Sequence, residues 1–207
     1  MMKLYHTELS GNCHKVRLML SLLGLECDYP EGGTAPHRIS IDFVGGKHKS
    51  ADFLKLNPLG QVPVLVDGDT VIRDSQAILV YLARKYGRED WLPLTADPMA
   101  KVMQWLSFAA NEIHSSLFIA RLHFRFGMDF DWETAQRKGK QVLQVMDDHL
   151  QGRGWLECGS PTLADIACYP YVGLAPEGKV ALEPYPHVVA WIERIKQLPG
   201  YEGMEGL

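Results

Sequence analysis

The spacing of apolar residues divides the 207-residue chain into two parts of different character. In the first part, short apolar runs carry a strand period. Lys3–His6 reads as a strand, followed by a polar loop over Thr7–Asn12. From Cys13 the period lengthens: Val16, Met19, Leu20 and Leu23 share one helical face, and Gly24 ends it. Glu26–Tyr29 reads as a second strand running into Pro30. Residues 31–50, rich in Gly, Pro and His, carry no clear period, and a short helix is expected near Ser50–Leu56. Val62–Val66 and Val71–Arg73 flank Asp67-Gly68-Asp69, a hairpin signature. Asp74 then opens a helix with Ala77, Ile78, Tyr81 and Leu82 along one side.

Beyond Tyr86–Pro98, where Gly87, Pro93 and Pro98 sit among charges as in a linker, strand signals cease. Val102, Leu106, Ala109, Ala110, Ile113 and Leu117 predict a long helix running toward Phe124. Val142, Val145, Met146 and His149 mark another, closed by Gly152-Arg153-Gly154. A third starts at Thr162, and a fourth carries Val188, Trp191, Ile192 and Ile195 before Pro199. The order β-α-β, loose crossover, β-β-α, then helices alone predicts an α/β layer on a mixed four-stranded sheet, followed by an all-α unit. The expected division is 1–84, a linker over 85–97, and a helical domain over 98–207.

Composition narrows the classes of function. Net charge is −4, which argues against a nucleic-acid surface. No run approaches membrane-spanning length, and Met1–Tyr5 lacks the apolar core of a secretory leader. Four cysteines (Cys13, Cys27, Cys158, Cys168) show neither a C-x-x-C pair nor metal-ligand spacing, so free thiols in a reducing, cytoplasmic setting and no metal are expected.

Two places invite chemistry. Pro63 has no N–H for a sheet ladder, and an interior strand would reject it. A cis Val62–Pro63 bond would instead turn the backbone of Val62 outward, as a docking edge for an extended, peptide-like ligand. Downstream, Asp74 and Ser75 set an acid and a hydroxyl at a helix start, where an acid can hold an ammonium. Ser10 occupies the other place, in L-S-G-N-C-H-K-V-R between the first strand and the first helix. A helix N-terminus gathers unpaired N–H groups and partial positive charge. Ser10 either caps that helix or donates to a ligand thiol held there and draws it toward thiolate. Lowering a thiol from pKa ~8.5 by about two units takes roughly 2.7 kcal/mol, within reach of such a site.

Four segments in this order, S-G-N-C-H-K-V-R, N-P-L-G-Q-V-P-V-L, D-S-Q-A-I-L-V-Y-L and S-P-T-L-A-D, resemble the glutathione transferase family. The likeness is greatest to its serine-type, zeta- and theta-like bacterial members. It implies a thioredoxin-like first domain and a helical second domain that forms the pocket for a second substrate. The family's roles carry over to Ser10 as the group activating the glutathione thiol, and to Asn12 as a second donor. Ser10 stands where relatives with a reactive cysteine carry that thiol. Cys13 is then either reactive or inert packing, and Tyr5 lies too early in the loop to activate a thiol. Val62, beside Pro63, would pair with the cysteinyl unit; Asp74 and Ser75 would hold the γ-glutamyl end; Gln61, His48 and the alternative Lys49 would approach the glycine end. Phe108, Asn111 and His114 are the candidates for the second-substrate pocket, with Ser115 and Arg121 nearby. Thr162 and Asp165, three apart, read as a structural capping box.

The resemblance implies conjugation of glutathione, as co-substrate, to a small apolar electrophile, by a homodimer. Rival readings are glutathione-dependent disulfide or peroxide reduction, and zeta-like isomerisation with Arg17 and Arg121 as carboxylate contacts. A non-catalytic scaffold is the remaining rival, and it would need none of Ser10, Val62-Pro63 or Asp74-Ser75.

Overall fold

The computed structural model describes residues 2–25, 38–43, 45–87 and 89–207. Its first part is built on a sheet of order β2-β1-β3-β4. Strand β1, Met2–His6, leads through a short turn into helix α1, Gly11–Leu22. Strand β2, Arg38–Ser40, lies parallel to β1, with Tyr5 opposite Ile39. A 3-10 turn, Lys47–Lys49, and helix α2, Ala51–Leu56, follow. Strand β3, Val64–Asp67, runs antiparallel to β1 with Leu4 opposite Leu65, and strand β4, Thr70–Arg73, pairs with β3 through the tight turn at Gly68-Asp69. Helix α3, Ser75–Lys85, crosses back over α1.

The strand expected at Glu26–Tyr29 lies outside the described residues. The parallel partner of β1 falls instead in the stretch that carried no period. Three residues are too few to display one, and Arg38–Ser40 is held by the ladder and by a small cluster of Ile41, Phe53 and Val64.

Beyond Arg73 every regular element among the described residues is helical. Helix α4, Ala96–Phe108, continues without a break into a π-helical segment, Ala109–Phe118, and helix α5, Ile119–Phe126. The single long helix expected from the spacing is therefore one rod with a widened centre. Helices α6, Trp132–Leu150, α7, Leu163–Gly173, and α8, Pro186–Lys196, complete the unit. Helix α7 is the axis of the molecule. Every residue from Leu163 to Gly173 is buried, as expected for a helix apolar all round. It packs against α1 and α3 on one side and α4 and the π segment on the other. Its start is a capping box: Thr162 Oγ1 accepts from Ala164 N–H, and Asp165 accepts from Thr162 N–H at 2.9 Å. The main apolar core runs unbroken from Leu4 and Met19 through Ile166 and Val172 to Trp191. No described helix is long and apolar enough to cross a membrane.

Candidate functional site

The site grows from the starts of two helices and the loop before β3. Ser10 is the N-cap of α1, with extended backbone, and its Oγ accepts Cys13 N–H at 3.3 Å. Asp74 caps α3 by accepting from Gln76 N–H at 2.9 Å and Ala77 N–H at 3.1 Å. It adopts φ 76°, a region few residues other than glycine occupy, though aspartate tolerates it better than most. Between them, Val62–Pro63 is cis, and β3 begins only at Val64. Among the described residues, the backbone of Val62 makes no hydrogen bond within the chain. The loop before it is shaped by buried Asn57, whose Nδ2 donates to Gln61 O at 2.8 Å while its Oδ1 accepts Leu59 N–H at 3.1 Å. Gly60 completes that turn at φ 64°.

The first turn of α1, the loop before β3 and the start of α3 enclose an open cleft of about 230 Å³; Ser10, His48 and Lys49 are not among the residues that line it. Asn12, Gln61, Val62, Pro63, Asp74 and Ser75 all line it, with Asn57, Leu59 and Arg73. Asn12 is fixed from behind. Its Oδ1 accepts Lys15 Nζ at 2.9 Å and Ser75 Oγ at 3.5 Å, so the amide NH2 is the part free to donate. Lys15 is buried, and burial pulls its ammonium down to about 8.

The other sequence candidates sit around this cleft at different removes. His48 and Lys49 stand behind the Gly60 turn: a Cβ on Gly60 would meet His48 O and Lys49 Nζ, each at 2.9 Å. The His48 ring stacks on Phe43 at 4.3 Å. Phe108 packs edge-on against Trp105, and Asn111 caps Ser107 O on the exposed side of the rod. His114 lies on Phe118 at 4.4 Å, and Phe118 on Tyr171 at 4.9 Å, a row of rings leading to the start of α1. Desolvation first, and Lys15 second, hold the His114 imidazole below its usual value. Cys13 is wholly buried; burial pushes its thiol up, and its Sγ accepts Thr7 N–H at 3.5 Å. Tyr5 packs on Phe53 within the small cluster.

Sequence reasoning passed over Lys15 and Tyr171. Lys15 was detectable as a cation, with Arg17, amid the buried residues of α1, whereas Tyr171 is one apolar letter among many on a fully buried helix.

The family models for the N-terminal and the C-terminal domain of glutathione S-transferases match residues 4–90 and 109–199. Glutathione S-transferase 3 of Zea mays is 35% identical over 213 residues, spanning 97% of this chain and 91% of its own. The chain belongs to the glutathione S-transferase family. Glutathione S-transferase Z1 of Arabidopsis thaliana is 31% identical and spans 97% of this chain and 90% of its own. Among solved structures, that of a glutathione S-transferase from Pseudomonas fluorescens superposes with TM-score 0.88 at 31% identity, covering 99% of this chain and 98% of that one. In this member, the helix starts and the loop before β3 of the thioredoxin-like part supply the cleft, and Phe118 and Tyr171 of the helical part supply the rings that lead to the start of α1.

Proposed function

We propose that this transferase binds glutathione in the cleft and conjugates it to a small apolar electrophile. The observation that carries the reading is a convergence. Two helix N-termini, one capped by Ser10 and one by Asp74, meet an unpaired stretch of backbone at Val62. The γ-glutamyl carboxylate suits the N–H groups and Ser75 hydroxyl at α3, and its ammonium suits Asp74. The cysteinyl unit pairs with Val62 beside Pro63, and the glycine end runs toward Gln61, His48 and Lys49. The thiol then falls at the start of α1. There the helix terminus and the Ser10 hydroxyl favour thiolate, and the Asn12 amide is a second donor. The thiol gives its proton to solvent, and the sulfur forms the new bond to the electrophilic carbon as that carbon's leaving group or π electrons depart.

The helical part, residues 98–207 beyond a linker over 85–97, forms the second pocket in this reading. His114, through Phe118 and Tyr171, belongs to the row of rings that reaches the start of α1, and Phe108 and Asn111 are the other candidates on the rod. Arg17 donates to Thr7 O and Glu8 O and lies 3.4 Å from Glu202, and Arg121 donates to Leu9 O and Glu177, while Arg17 Nε and Arg121 Nη2 make no hydrogen bond among the described residues. Most of their donors are engaged in structural contacts, which counts against a carboxylate-binding isomerase pocket built on them. In this reading the chemistry is carried out by a cytoplasmic homodimer, a setting the family resemblance supports.

The test is ultraviolet titration of bound glutathione against pH. Wild type should show thiolate with an apparent pKa well below ~8.5, and Ser10→Ala should raise it by about one unit or more. Binding without a depressed pKa would leave a scaffold; absence of binding would overturn the reading altogether.

A further inference from the structure

Lys15 is a buried cation to which the chain gives no counter-charge. It sits on α1 and is 2% exposed. Its Nζ donates to Asn12 Oδ1 at 2.9 Å, one turn earlier on the same helix face, and stands 5.4 Å from the centroid of the Tyr171 ring. Among the described residues no carboxylate forms an ion pair with it. The ionisable groups that face it are His14 on α1, Asp74 before α3, His114 on the π segment, and Cys168 and Tyr171 on α7. Burial pushes the Cys168 thiol and the Tyr171 phenol far above their usual ranges, so both stay neutral, and it holds the two imidazoles below theirs. Asp74 is the one acid in this set, and its Oδ1 is taken up by Gln76 N–H and Ala77 N–H. An ammonium that burial pulls down to about 8 is still about nine-tenths charged at pH 7.

A buried charge without a partner is costly, and beside a cleft it marks a place built to receive an ion of opposite sign. The charge reaches the cleft through Asn12. An ammonium has hydrogens to give and no lone pair to offer, so the Asn12 amide must turn its oxygen toward Lys15. Two further contacts hold the residue in place: Ser75 Oγ lies 3.5 Å from the same oxygen, and the Asn12 backbone N–H donates to Tyr171 Oη at 3.2 Å. Asn12 Nδ2 makes no hydrogen bond among the described residues, and Asn12 lines the cleft. A reversed amide would set its NH2 against the ammonium and its oxygen against an incoming anion. The bond accepted from a cation also polarises the amide and makes Nδ2–H a better donor.

We propose that Lys15 is a positioning residue for the thiol chemistry: it fixes the Asn12 amide with its NH2 toward the cleft, and the glutathione thiolate is the counter-charge it lacks. The inference rests on the proposed role of Asn12 as a donor to the sulfur.

One test leaves the wild-type protein intact. With the lysine ε-carbons labelled for NMR, and the Lys15 signal assigned by its loss in Lys15→Met, this group should titrate near 8 in the free protein. Saturating glutathione should raise that value by about one unit, and S-methylglutathione, which has no thiol to ionise, should not. Both ligands bring the same ammonium to Asp74, so the difference between them isolates the sulfur. Equal shifts with the two ligands, or none with either when both are bound, would overturn the inference. Absence of binding, read by calorimetry, would sink the functional reading and this inference together.

Lys15→Met is the second test, since it keeps the apolar stem and removes the charge. Relieved of an uncompensated buried cation, the protein should keep or raise its thermal midpoint. The bound thiol's pKa should rise by about one unit, and turnover at a fixed pH below both values should fall about tenfold. S-methylglutathione Kd should stay within about twofold of wild type. A lysine with only a structural role would move the midpoint and leave the thiol where it was. In an Asn12→Ala background, the shift from Lys15→Met should shrink to less than about half. An undiminished shift would mean that the charge acts without the amide, and the positioning role would fall. If Asn12→Ala alone leaves the thiol pKa unmoved, the reading of Asn12 fails and takes this inference with it. If Asn12→Ala moves it and Lys15→Met does not, the inference alone is overturned.

Discussion

Replacing Asp165 with Ala should cost stability and leave the thiol chemistry alone. The carboxylate is fully buried and both oxygens are doubly used. One accepts Leu156 N–H at 3.0 Å and Trp191 Nε1–H at 2.8 Å; the other accepts Thr162 N–H at 2.9 Å and Thr162 Oγ1–H at 3.3 Å. Truncation strands three N–H donors away from water, while the threonine hydroxyl can rotate. At about 1–3 kcal/mol for each stranded donor, the loss comes to about 3–9 kcal/mol. That is a large share of the ~5–15 kcal/mol that holds a typical protein folded. With a urea slope of ~3 kcal/mol/M for a chain of this size, the unfolding midpoint should fall by about 1–3 M. Trp191 fluorescence reports the transition from inside the affected contact. Asp165→Asn should fall between the two, because its carbonyl serves two donors while its NH2 is turned against two others. Below the transition, the bound thiol's pKa should match wild type. A midpoint within about 0.2 M of wild type, or a displaced thiol pKa in folded protein, would refute the reasoning.

Two further outcomes follow from the geometry. Asp74→Asn retains the cap on Gln76 and Ala77 and suits the same backbone, so it removes only charge. Glutathione Kd by calorimetry should rise by about tenfold or more, the worth of a charge-assisted bond, at unchanged thermal midpoint; an unaltered Kd would remove Asp74 from the site. His14 is fully buried with neither ring nitrogen partnered among the described residues, and burial lowers it to about 3. Its folded value lies below the unfolded ~6.5, so the unfolded chain takes the proton first and stability falls as pH drops from 6.5 toward 3. His14→Phe, which keeps the edge-on contact with Tyr169, should flatten that part of the urea-midpoint profile and leave pH 7 little changed. An equally steep acid limb in the variant would assign the loss elsewhere.

What the sequence revealed depended on how far each feature relies on local pattern. The β3–β4 hairpin, α3 and the Thr162–Asp165 box were legible because their signals are turn residues and caps a few positions apart. Strand β2 was not, since three residues held by a neighbouring strand carry no period of their own. The π-helical widening over Ala109–Phe118 was equally hidden: apolar positions four apart at Ala109, Ile113 and Leu117 suit either winding. In the cleft, Val62, Asp74 and Ser75 announced themselves through Pro63 and the helix start. Tyr171 is brought to Asn12 and the start of α1 only by tertiary packing, from a helix whose uniform burial erases any facing signal.

The ion pairs around Glu202 bear on how the protein is made. This carboxylate meets Arg38 through both terminal guanidinium nitrogens and lies 3.4 Å from Arg17, itself only 1% exposed. Both arginines belong to the α/β part, yet Glu202 follows Arg38 by 164 residues. At a translation rate of about 5–20 residues per second, the ribosome needs roughly 10–30 s to supply it. Until then a guanidinium destined for the interior lacks this counter-charge, a costly state for a buried ion. The part of the molecule synthesised first is thus among the last to be completed, and it matures only as the end of the helical part folds back onto it.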